Sequence, residues 1–267
     1  MPTFEFKAMG TTIEVIIFRE ESEQLVRDHF EEYEQRFSRF RDKSELSQLN
    51  QERSLQVSDD FLNLMALAKK MHTKTKAAFN PLLSVSRIGY SDSYEKPEVT
   101  ENPEYNTDFA AIKIEGNMIT LQPGQNLDLG GIAKGWTVDQ LVKKLRELDH
   151  ENFMINAGGD LYASGTKEGE SWKVGLDHSG KVFEPENQAI ATSSAQKRHW
   201  EINGKAHHHI VNHESFDSAE NDLYSITVLG DKLAECDAWA TAAYSLGRTK
   251  GQELLIKNNI EYFLCLS

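Results

Sequence analysis

The sequence predicts a fold that contains both helices and short strands. The run Thr12–Phe18 is β-branched and apolar, as expected of a strand. Apolar residues recur at three- and four-residue steps from Leu25 to Phe40, as on one face of a helix. Asn203-Gly204 separates two further apolar runs and is a typical hairpin turn. At 267 residues the chain can bury a large core, as one large domain or as two small ones.

Composition and charge narrow the class of protein. Hydrophobic residues make up 39% of the chain and charged residues 27%, which is ordinary for a globular protein. The formal net charge is −13, and the sequence has no block of Lys or Arg. Binding to nucleic acid or to an anionic membrane needs a basic surface, so we expect neither partner.

The two cysteines indicate whether disulfides or a zinc site are expected, and the N-terminal residues indicate the cellular compartment. Cys236 and Cys265 lie far apart and form no Cys-x-x-Cys pair, which predicts buried thiols and no zinc site or disulfide framework. The first residues lack the apolar core of a signal peptide, and no run approaches membrane-spanning length. As written, the chain is expected in the cytoplasm, although a chain whose leader had been removed would read the same.

After the first strand and helix, the chain continues with a second helix, a loop and a hairpin. Ser58 followed by two Asp predicts the start of the second helix, since these side chains cap free N–H groups. The polar segment from Tyr90 to Asp108 predicts a surface loop. Ile112–Ile114 and Met118–Leu121 flank Glu-Gly-Asn and predict a hairpin that leads into the next segment.

The segment Asn126-Leu-Asp-Leu-Gly-Gly-Ile-Ala-Lys-Gly135, here called the central turn, is the most informative stretch. Its three glycines permit close approach of the backbone to a ligand and positive φ. Trp136, Leu141, Leu145 and Leu148 then recur at helical spacing, with Asp139 among the intervening polar residues, so a helix begins here and can offer N–H groups to an anion. The pattern is neither a Walker loop nor Gly-x-Gly-x-x-Gly, and an ordinary strand-to-helix connection would look similar.

The last third of the chain predicts several short strands and one helix. The helix runs from about Ala234 to Leu246 and ends at Gly247. The predicted strands are Phe153–Asn156, Trp172–Leu176, Ala189–Thr192, His199–Ile202, His207–Val211 and Tyr224–Leu229.

Asp237 and Thr241 lie four residues apart on the predicted last helix. This spacing places a carboxylate and a hydroxyl on one face. Oxygen ligands without sulfur or imidazole suit Mg²⁺, which takes few protein ligands. A surface acid beside a Thr that bonds back to its own helix is the alternative interpretation.

Eight short segments, taken together and in this order, resemble the successive motifs of the ApbE-type FAD:protein FMN transferase family. Asp-x-Gly-Gly-Ile-Ala-Lys-Gly followed by Asn-x-Gly-Gly-Asp is the most specific part, and the resemblance covers nearly the whole chain. The segments are Met9-Gly-Thr, Ser44-Glu-Leu-Ser-Gln-Leu-Asn50, Asp128-Leu-Gly-Gly-Ile-Ala-Lys-Gly135, Asn156-Ala-Gly-Gly-Asp160, Trp172-Lys-Val-Gly175, Ala191-Thr-Ser193, His208-His-Ile210 and Asp237-Ala-Trp-Ala-Thr241.

The resemblance implies a fold, an activity and a set of partners. It implies one α+β domain over residues 1–267, with a mixed, mainly antiparallel sheet and flanking helices. FAD would lie in an extended groove with Mg²⁺ at its pyrophosphate. FMN would be transferred to a Thr or Ser hydroxyl of an acceptor flavoprotein, and AMP would be released. Such a reaction needs charge neutralisation and positioning more than a protein nucleophile.

The resemblance also implies roles for individual residues. Asp237, Thr241 and the carbonyl of Ala133 match the metal ligands. His209 matches a family histidine and is the candidate for assisting proton transfer from the attacking hydroxyl, with a structural role as the alternative. Neighbouring strand residues alternate sides, so His207, His208 and His209 cannot converge on a metal. The positions that match the FAD-binding groove are Met9, Asn50, Phe79, Asp128, Gly131, Lys134, Asn156, Gly158, Gly159, Asp160, Thr192 and Ser193.

Several of these positions have an alternative interpretation from the sequence alone. Met9 and Phe79 could be core residues, Lys134 a solvated lysine at a helix start, and Asn156–Asp160 a turn at the end of a strand. In the functional interpretation, Asp160 accepts hydrogen bonds from ribose or ring N–H groups.

Three departures from the family pattern leave three functions open. Ala77-Ala-Phe-Asn-Pro-Leu82 stands where the family commonly has Gly-x-Phe-Asp-Pro-Thr, and Thr192-Ser-Ser194 where it has Thr-Ser-Gly. His209-Ile-Val-Asn-His213 replaces His-Ile-Ile-Asp-Pro, without the following Thr-Gly. The chain could be a working flavin transferase, an FAD pyrophosphatase that uses water as acceptor, or a protein that binds FAD without chemistry.

Overall fold

The computed structural model describes residues 1–17, 22–88, 105–176, 180–196, 199–202 and 204–266. Within these residues the helices are α1 (Ser22–Phe37), α2 (Glu45–Glu52), α3 (Asp59–Lys74), α4 (Ala133–Glu147) and α5 (Leu233–Lys257). The strands are β1 (Thr3–Ala8), β2 (Thr11–Ile17), β3 (Ser54–Gln56), β4 (Lys113–Glu115), β5 (Met118–Thr120), β6 (Phe153–Ala157), β7 (Asp160–Ser164), β8 (Val174–Gly175), β9 (Val182–Phe183), β10 (Gln188–Ser193), β11 (His199–Ile202), β12 (Lys205–His208), β13 (Leu223–Gly230) and β14 (Glu261–Leu266).

Seven strands form the main sheet, in the order β1-β2-β6-β7-β10-β13-β14. Every neighbouring pair in this sheet runs antiparallel. Three smaller units, β3-β5-β4, β8-β9 and β11-β12, lie outside it. Together with the flanking helices this is the α+β architecture with a mainly antiparallel sheet that the sequence predicts.

Alternate residues of the sheet strands contribute to two hydrophobic cores. Ile13, Val15 and Ile17 of β2 belong to the large core that also contains the buried faces of the helices, whereas Ile16 belongs to a second cluster. Trp172 is the largest residue of the second cluster, and its Nε1 donates to the carbonyl of Ser164 at 3.0 Å. Both faces of the sheet are therefore covered by apolar side chains.

The helices pack on the middle of the sheet and on one another. Helix α5 packs against β7, β10 and β13, while α4 packs against β6, β7 and α5. Helix α1 packs on β1 and α4, and a ring nitrogen of buried His29 lies 2.9 Å from the carbonyl of Thr137. Ser58 caps α3 as predicted, since its side chain accepts from the N–H of Phe61 at 3.3 Å. None of the helices described here is long and apolar enough to cross a membrane.

Several boundaries differ from the sequence prediction. Helix α1 ends at Phe37, so Phe40 lies outside it and is exposed, because the chain turns to begin α2 at the cap residue Ser44. Leu148 likewise lies beyond α4 and is exposed. Asp139, predicted among the polar residues of that helix, is instead buried, and Cys265 is only partly buried.

The prediction of strands was incomplete. β1, β3, β7, β9 and β14 were not predicted, although the hairpins β4-β5 and β11-β12 were. Only Val174–Gly175 of the predicted strand Trp172–Leu176 is a strand, because Trp172 turns into the second core. The strand predicted at His207–Val211 ends at His208. Phe18, Asn203 and most of the predicted loop at Tyr90–Asp108 lie outside the described residues.

Helix α5 continues beyond the predicted end but breaks at Gly247. This residue has φ 75° and ψ 176°, and helical structure resumes after it up to Lys257. The region is accessible almost only to glycine. The prediction that Gly247 stops a helix was correct, and the prediction that no helix follows it was wrong.

We expect Gly247→Ala to lower the free energy of unfolding by about 1–3 kcal/mol, the usual cost of holding a residue with a side chain in this region. The added methyl would also lie 3.3 Å from Cβ of Asn221. Gly175→Ala is the matched control, because a methyl there meets no atom within 4 Å and the backbone is not left-handed. Guanidinium unfolding measures both. Equal unfolding midpoints for the two variants would show that alanine is not strained at position 247.

Candidate active site

The central turn is held by its own side chains and by contacts from distant segments. Oδ1 of Asp128 accepts from the N–H of Gly130 at 2.9 Å, and the guanidinium of Arg39 lies 3.6 Å from the other carboxylate oxygen. The amide of Asn50 donates to the carbonyl of Leu127 at 2.9 Å and accepts from its N–H at 2.8 Å. The two predicted groove residues Asp128 and Asn50 therefore shape the turn.

The glycines of the central turn allow close packing. They were also expected from the sequence to permit positive φ, and that expectation was wrong. Gly130, Gly131 and Gly135 have no left-handed backbone. A Cβ on Gly131 would lie 3.2 Å from Oγ1 of Thr241 and 3.4 Å from the ring of buried Phe79. The turn thus passes directly over the helix that carries Thr241, and Phe79 has the core position given as its alternative.

Two residues of α4 fix this helix against the start of α5. A Cβ on Gly135 would lie 2.5 Å from the backbone nitrogen of Ala234, so no side chain fits there. The carboxylate of Asp139 accepts from the N–H groups of Leu233 and Ala234, at 2.9 and 3.0 Å. These N–H groups have no partner within α5, so Asp139 caps that helix from its neighbour. The sequence prediction missed this role, because the burial of Asp139 and its contact with α5 are set by tertiary packing and leave no local signal.

Two carboxylates and one lysine meet between α4, β7 and α5. Nζ of Lys134 contacts Asp160 and lies 3.1 Å from Oδ2 of Asp237. All three side chains are largely shielded from solvent. Thr241 follows Asp237 by one helical turn, and its hydroxyl lies 3.5 Å from that of Ser193 on β10. The predicted lysine, acids and hydroxyls are thus brought together from four segments.

Asp160 uses its carboxylate for contacts within the protein. Oδ1 accepts from the backbone N–H of Thr192 at 2.9 Å, and Oδ2 contacts Lys134. The side chain is nearly buried. These contacts join β7 to β10 and α4, and the acceptance of hydrogen bonds by Asp160 from ribose or ring N–H groups stays a prediction.

The second glycine turn, Asn156–Asp160, connects β6 to β7. Here the backbone is left-handed at Gly158 and Gly159, with φ 72° and 109°. Oδ1 of Asn156 accepts from the N–H of Gly159 at 2.8 Å, and a Cβ on Gly158 would lie 2.1 Å from Oγ1 of Thr11. The turn therefore packs against the β1-β2 hairpin, as a turn at the end of a strand does.

The structure also gives the local contacts of Met9, predicted for the groove, and of Ala133, whose carbonyl was predicted as a metal ligand. Met9 has a left-handed φ of 51° at the β1-β2 turn, and its N–H donates to Glu34 at 2.9 Å. The carbonyl of Ala133, at the start of α4, accepts from the hydroxyl of Thr137 at 2.9 Å.

The three consecutive histidines lie at the end of β12 and do not form a common site. Nδ1 of His207 is 3.1 Å from Asp217, and Nε2 of His208 is 2.8 Å from the carbonyl of Ala219. Burial lowers the pKa of His208. His209 is partly buried and begins the segment after the strand. Among the described residues, no three His, Cys, Asp or Glu side chains are arranged to hold a metal ion.

The chain that carries these two glycine turns is similar to one known protein family over nearly its whole length. The model of the ApbE family matches residues 9–264. The chain belongs to the ApbE family. Its similarity to FAD:protein FMN transferase of Haemophilus influenzae is 26% identity, over 97% of this chain and 85% of that protein. The corresponding Klebsiella pneumoniae protein is 30% identical over 73% of this chain and 65% of that protein.

Solved ApbE structures share the fold. The flavin transferase ApbE of Vibrio cholerae superposes with a TM-score of 0.85 at 24% identity, covering 99% of this chain and 93% of that one. The apo form of the flavinyl transferase ApbE of Pseudomonas stutzeri gives 0.88 at 21% identity, covering 100% and 91%. The overall architecture of this ApbE chain is therefore that of solved family members.

The residues that depart from the ApbE motifs form specific hydrogen bonds in this chain. Nδ2 of Asn212 donates to the carbonyl of Ser245 at 2.8 Å, while its Oδ1 accepts from the N–H groups of Glu214 and Ser215 at 2.8 and 3.1 Å. A carboxylate could not make the first bond, which explains an amide here. The amide of Asn80 similarly donates to the carbonyl of Thr107 and accepts from Leu82.

The third departure, Ser194, also has defined partners. Its hydroxyl donates to the carbonyl of Tyr224 at 2.7 Å and accepts from the N–H of Gln196 at 3.2 Å. The altered segments of this ApbE chain are thus ordered by specific hydrogen bonds of the new side chains.

The raised pKa of Asp139 makes the free energy of unfolding depend on pH. Burial raises its pKa from 3.8 to about 6, despite the two backbone hydrogen bonds that lower it. Between these values the folded protein binds more protons than the unfolded chain, so the contribution of Asp139 is most favourable below pH 4 and is lost as the pH rises to about 6. We expect the stability of the wild type relative to Asp139→Asn to fall by about 3 kcal/mol over that window, measured by urea unfolding.

Ser58→Ala is the control for this experiment, since it removes a helix cap without removing a titrating group. Its difference from the wild type should not follow the same pH course. A wild type that gains stability over Asp139→Asn as the pH rises would show that the N–H groups of α5 outweigh the cost of burying the carboxylate.

Proposed function

We propose that this chain is a Mg²⁺-dependent FAD:protein FMN transferase that moves FMN from FAD to a Thr or Ser hydroxyl of an acceptor flavoprotein and releases AMP. One observation carries the proposal. The glycine-rich central turn passes within contact distance of Thr241, on the same helix as Asp237, so backbone that can approach a diphosphate lies beside oxygen ligands for a cation. The relatives from Haemophilus influenzae and Vibrio cholerae are named FAD:protein FMN transferase, which supports the transfer of FMN from FAD to a protein.

The residues present fit Mg²⁺ better than a transition metal. Asp237 offers a carboxylate, Thr241 a hydroxyl and Ala133 a backbone carbonyl, all of them oxygen donors. In the described part of the chain no cluster of His, Cys and acidic side chains competes as a metal site. When bound, the ion would supply charge neutralisation at the diphosphate oxygens.

The remaining chemistry belongs to positioning groups of the chain. The left-handed turn at Gly158 and Gly159 offers backbone close to a planar ring or a ribose. Ser193, beside Thr241 on the neighbouring strand, adds a hydroxyl donor next to the proposed ion. His209 is the proposed acceptor of the proton that leaves the attacking Thr or Ser hydroxyl as its oxygen bonds to phosphorus. AMP then leaves with the pair of electrons of the broken P–O bond.

FAD hydrolysis is the second candidate function, favoured by the altered segments at Asn80 and Asn212. Both have lost a carboxylate of the family pattern, and the amides that replace them are occupied by structural hydrogen bonds. If these segments no longer receive a protein hydroxyl, water can attack the same phosphorus. FMN and AMP would then appear without an acceptor.

Incubation with FAD, Mg²⁺ and an apo acceptor flavoprotein tests the assignment. We expect the intact mass of the acceptor to rise by one FMN phosphoester and AMP to form in equal amount. The acceptor with its Thr or Ser replaced by Ala is the control. Free FMN and AMP without acceptor labelling would identify a pyrophosphatase. Intact FAD in every reaction would indicate a protein that binds FAD without chemistry.

We expect Asp237→Ala to reduce turnover by about 100-fold or more, since it removes the only anionic ligand proposed for the ion, a contribution of several kcal/mol. Excess Mg²⁺ should restore only part of the rate. Thr241→Val keeps the shape, removes one neutral ligand and should be milder. FAD affinity, followed by flavin fluorescence, should fall less than turnover. A wild-type rate and Mg²⁺ dependence in Asp237→Ala would place the ion elsewhere.

We expect FAD to bind in preference to FMN or NAD, because the central turn and the turn Asn156–Asp160 come from separate segments and can contact both halves of a dinucleotide. Quenching of flavin fluorescence and competition by NAD measure this preference. Equal affinities for FAD and FMN would mean that the adenosine half has no site.

A further inference from the structure

The ammonium group of Lys134 holds together two carboxylates that come from different parts of the chain. It contacts Asp160 on β7 and lies 3.1 Å from Oδ2 of Asp237 on α5. The lysine side chain is 15% exposed and each acid 9%. The group therefore contains one positive and two negative charges in a largely desolvated place.

The charges of this group determine where the lysine must lie. A desolvated carboxylate without a counter-charge is strongly unfavourable, so both acids are stabilised by the same ammonium group. An ammonium group is a compact charge with three donors on a flexible stem, so it can contact both acids and can also leave one of them. Asp160 is further fixed by the N–H of Thr192 at 2.9 Å. Of the two contacts, the longer one to Asp237 is the one more readily released.

We propose that Lys134 and a divalent cation compete for the carboxylate of Asp237. In the absence of a cation, the ammonium group neutralises Asp237 and keeps its side chain in the site. When a cation binds Asp237, the ammonium group withdraws and remains paired with Asp160. This inference rests on the proposed function only in taking Asp237 as a ligand of the ion.

The competition has a consequence for the order of binding. A cation that must displace an ammonium group binds weakly to the protein alone. A diphosphate brings negative charge for both the cation and the released lysine, so the cation binds well only together with the dinucleotide. Lys134 would then couple the two binding events without being a metal ligand itself.

The opposite role is that Lys134 only orients Asp237 for the cation. The two roles differ in sign. Under competition, replacing Lys134 by a neutral residue strengthens cation binding to the protein without FAD. Under orientation, the same replacement weakens it, because Asp237 is no longer held in place.

The test uses Mn²⁺ alone as the probe, with free Mn²⁺ measured by electron paramagnetic resonance in the absence of FAD at fixed ionic strength. We expect Lys134→Met to bind Mn²⁺ about tenfold more tightly than the wild type, since one repulsive charge at contact distance is removed. The matched control is Lys70→Met. Lys70 pairs with Glu235, two residues before Asp237, but is 47% exposed and lies outside the group. This control removes the same charge and should change the affinity by less than about twofold.

Two further variants complete the design. Lys134→Met combined with Asp237→Ala should lose the gain in affinity, which assigns the gain to Asp237. Lys134→Gln is a second neutral variant that can still donate to Asp160, and it should shift the affinity in the same direction if Lys134→Met folds poorly. Unchanged or weaker Mn²⁺ binding in the folded neutral variants, or an equal gain in Lys70→Met, would overturn the proposal.

The outcomes separate this inference from the proposed function. If the acceptor is labelled with FMN and Asp237→Ala abolishes labelling, but Lys134→Met does not gain Mn²⁺ affinity, only the competition is wrong. If Mn²⁺ binding follows the expected pattern while no FMN is transferred, only the proposed function is wrong.

Discussion

The contact between the starts of α4 and α5 is the constraint on which the candidate site depends. Gly135 lies so close to the backbone of Ala234 that only hydrogen fits, and Asp139 accepts the first free N–H groups of α5. One residue before Gly135 is Lys134, and one turn into α5 is Asp237. Backbone packing therefore brings the lysine and the acid near each other, and their ion pair forms within that arrangement.

The sequence predicted the parts of the fold that have a strong local pattern. The capped helix at Ser58, the hairpin at Met118 and the helix after the central turn were correct, because hydrophobic spacing and caps act within a few residues. β1 and β14 were missed: they are the edge strands of the main sheet. β14 pairs with β13 across the whole of α5, and local pattern contains little of that information. β1 pairs with the next strand, β2, so its absence from the prediction was an oversight of its local alternation and not a limit of local pattern.

The predicted site residues show the same limit. Motif order brought Lys134, Asp160, Asp237 and Thr241 into one hypothesis, and the structure places them together. The order of the motifs could not show that glycines of the central turn allow close packing against α5. Nor could it show that the carboxylate of Asp160 binds groups within the protein. Asp139 was predicted as one of the polar residues of an amphipathic helix, since no local pattern distinguishes a buried capping acid from a solvated one. Such roles depend on tertiary neighbours.

The pairing of β2 with β6 has a consequence for how the chain folds. Ile13 lies opposite Ala157 in this register, so the N-terminal hairpin is joined to the sheet by a strand that comes more than half a chain later. Pairing over such a separation closes a long loop and slows folding relative to local contacts. During synthesis, β1 and β2 have no sheet to join until β6 has left the ribosome. Helix α1, which packs on β1 in the folded protein, is made in between and can cover part of their apolar surface in the meantime.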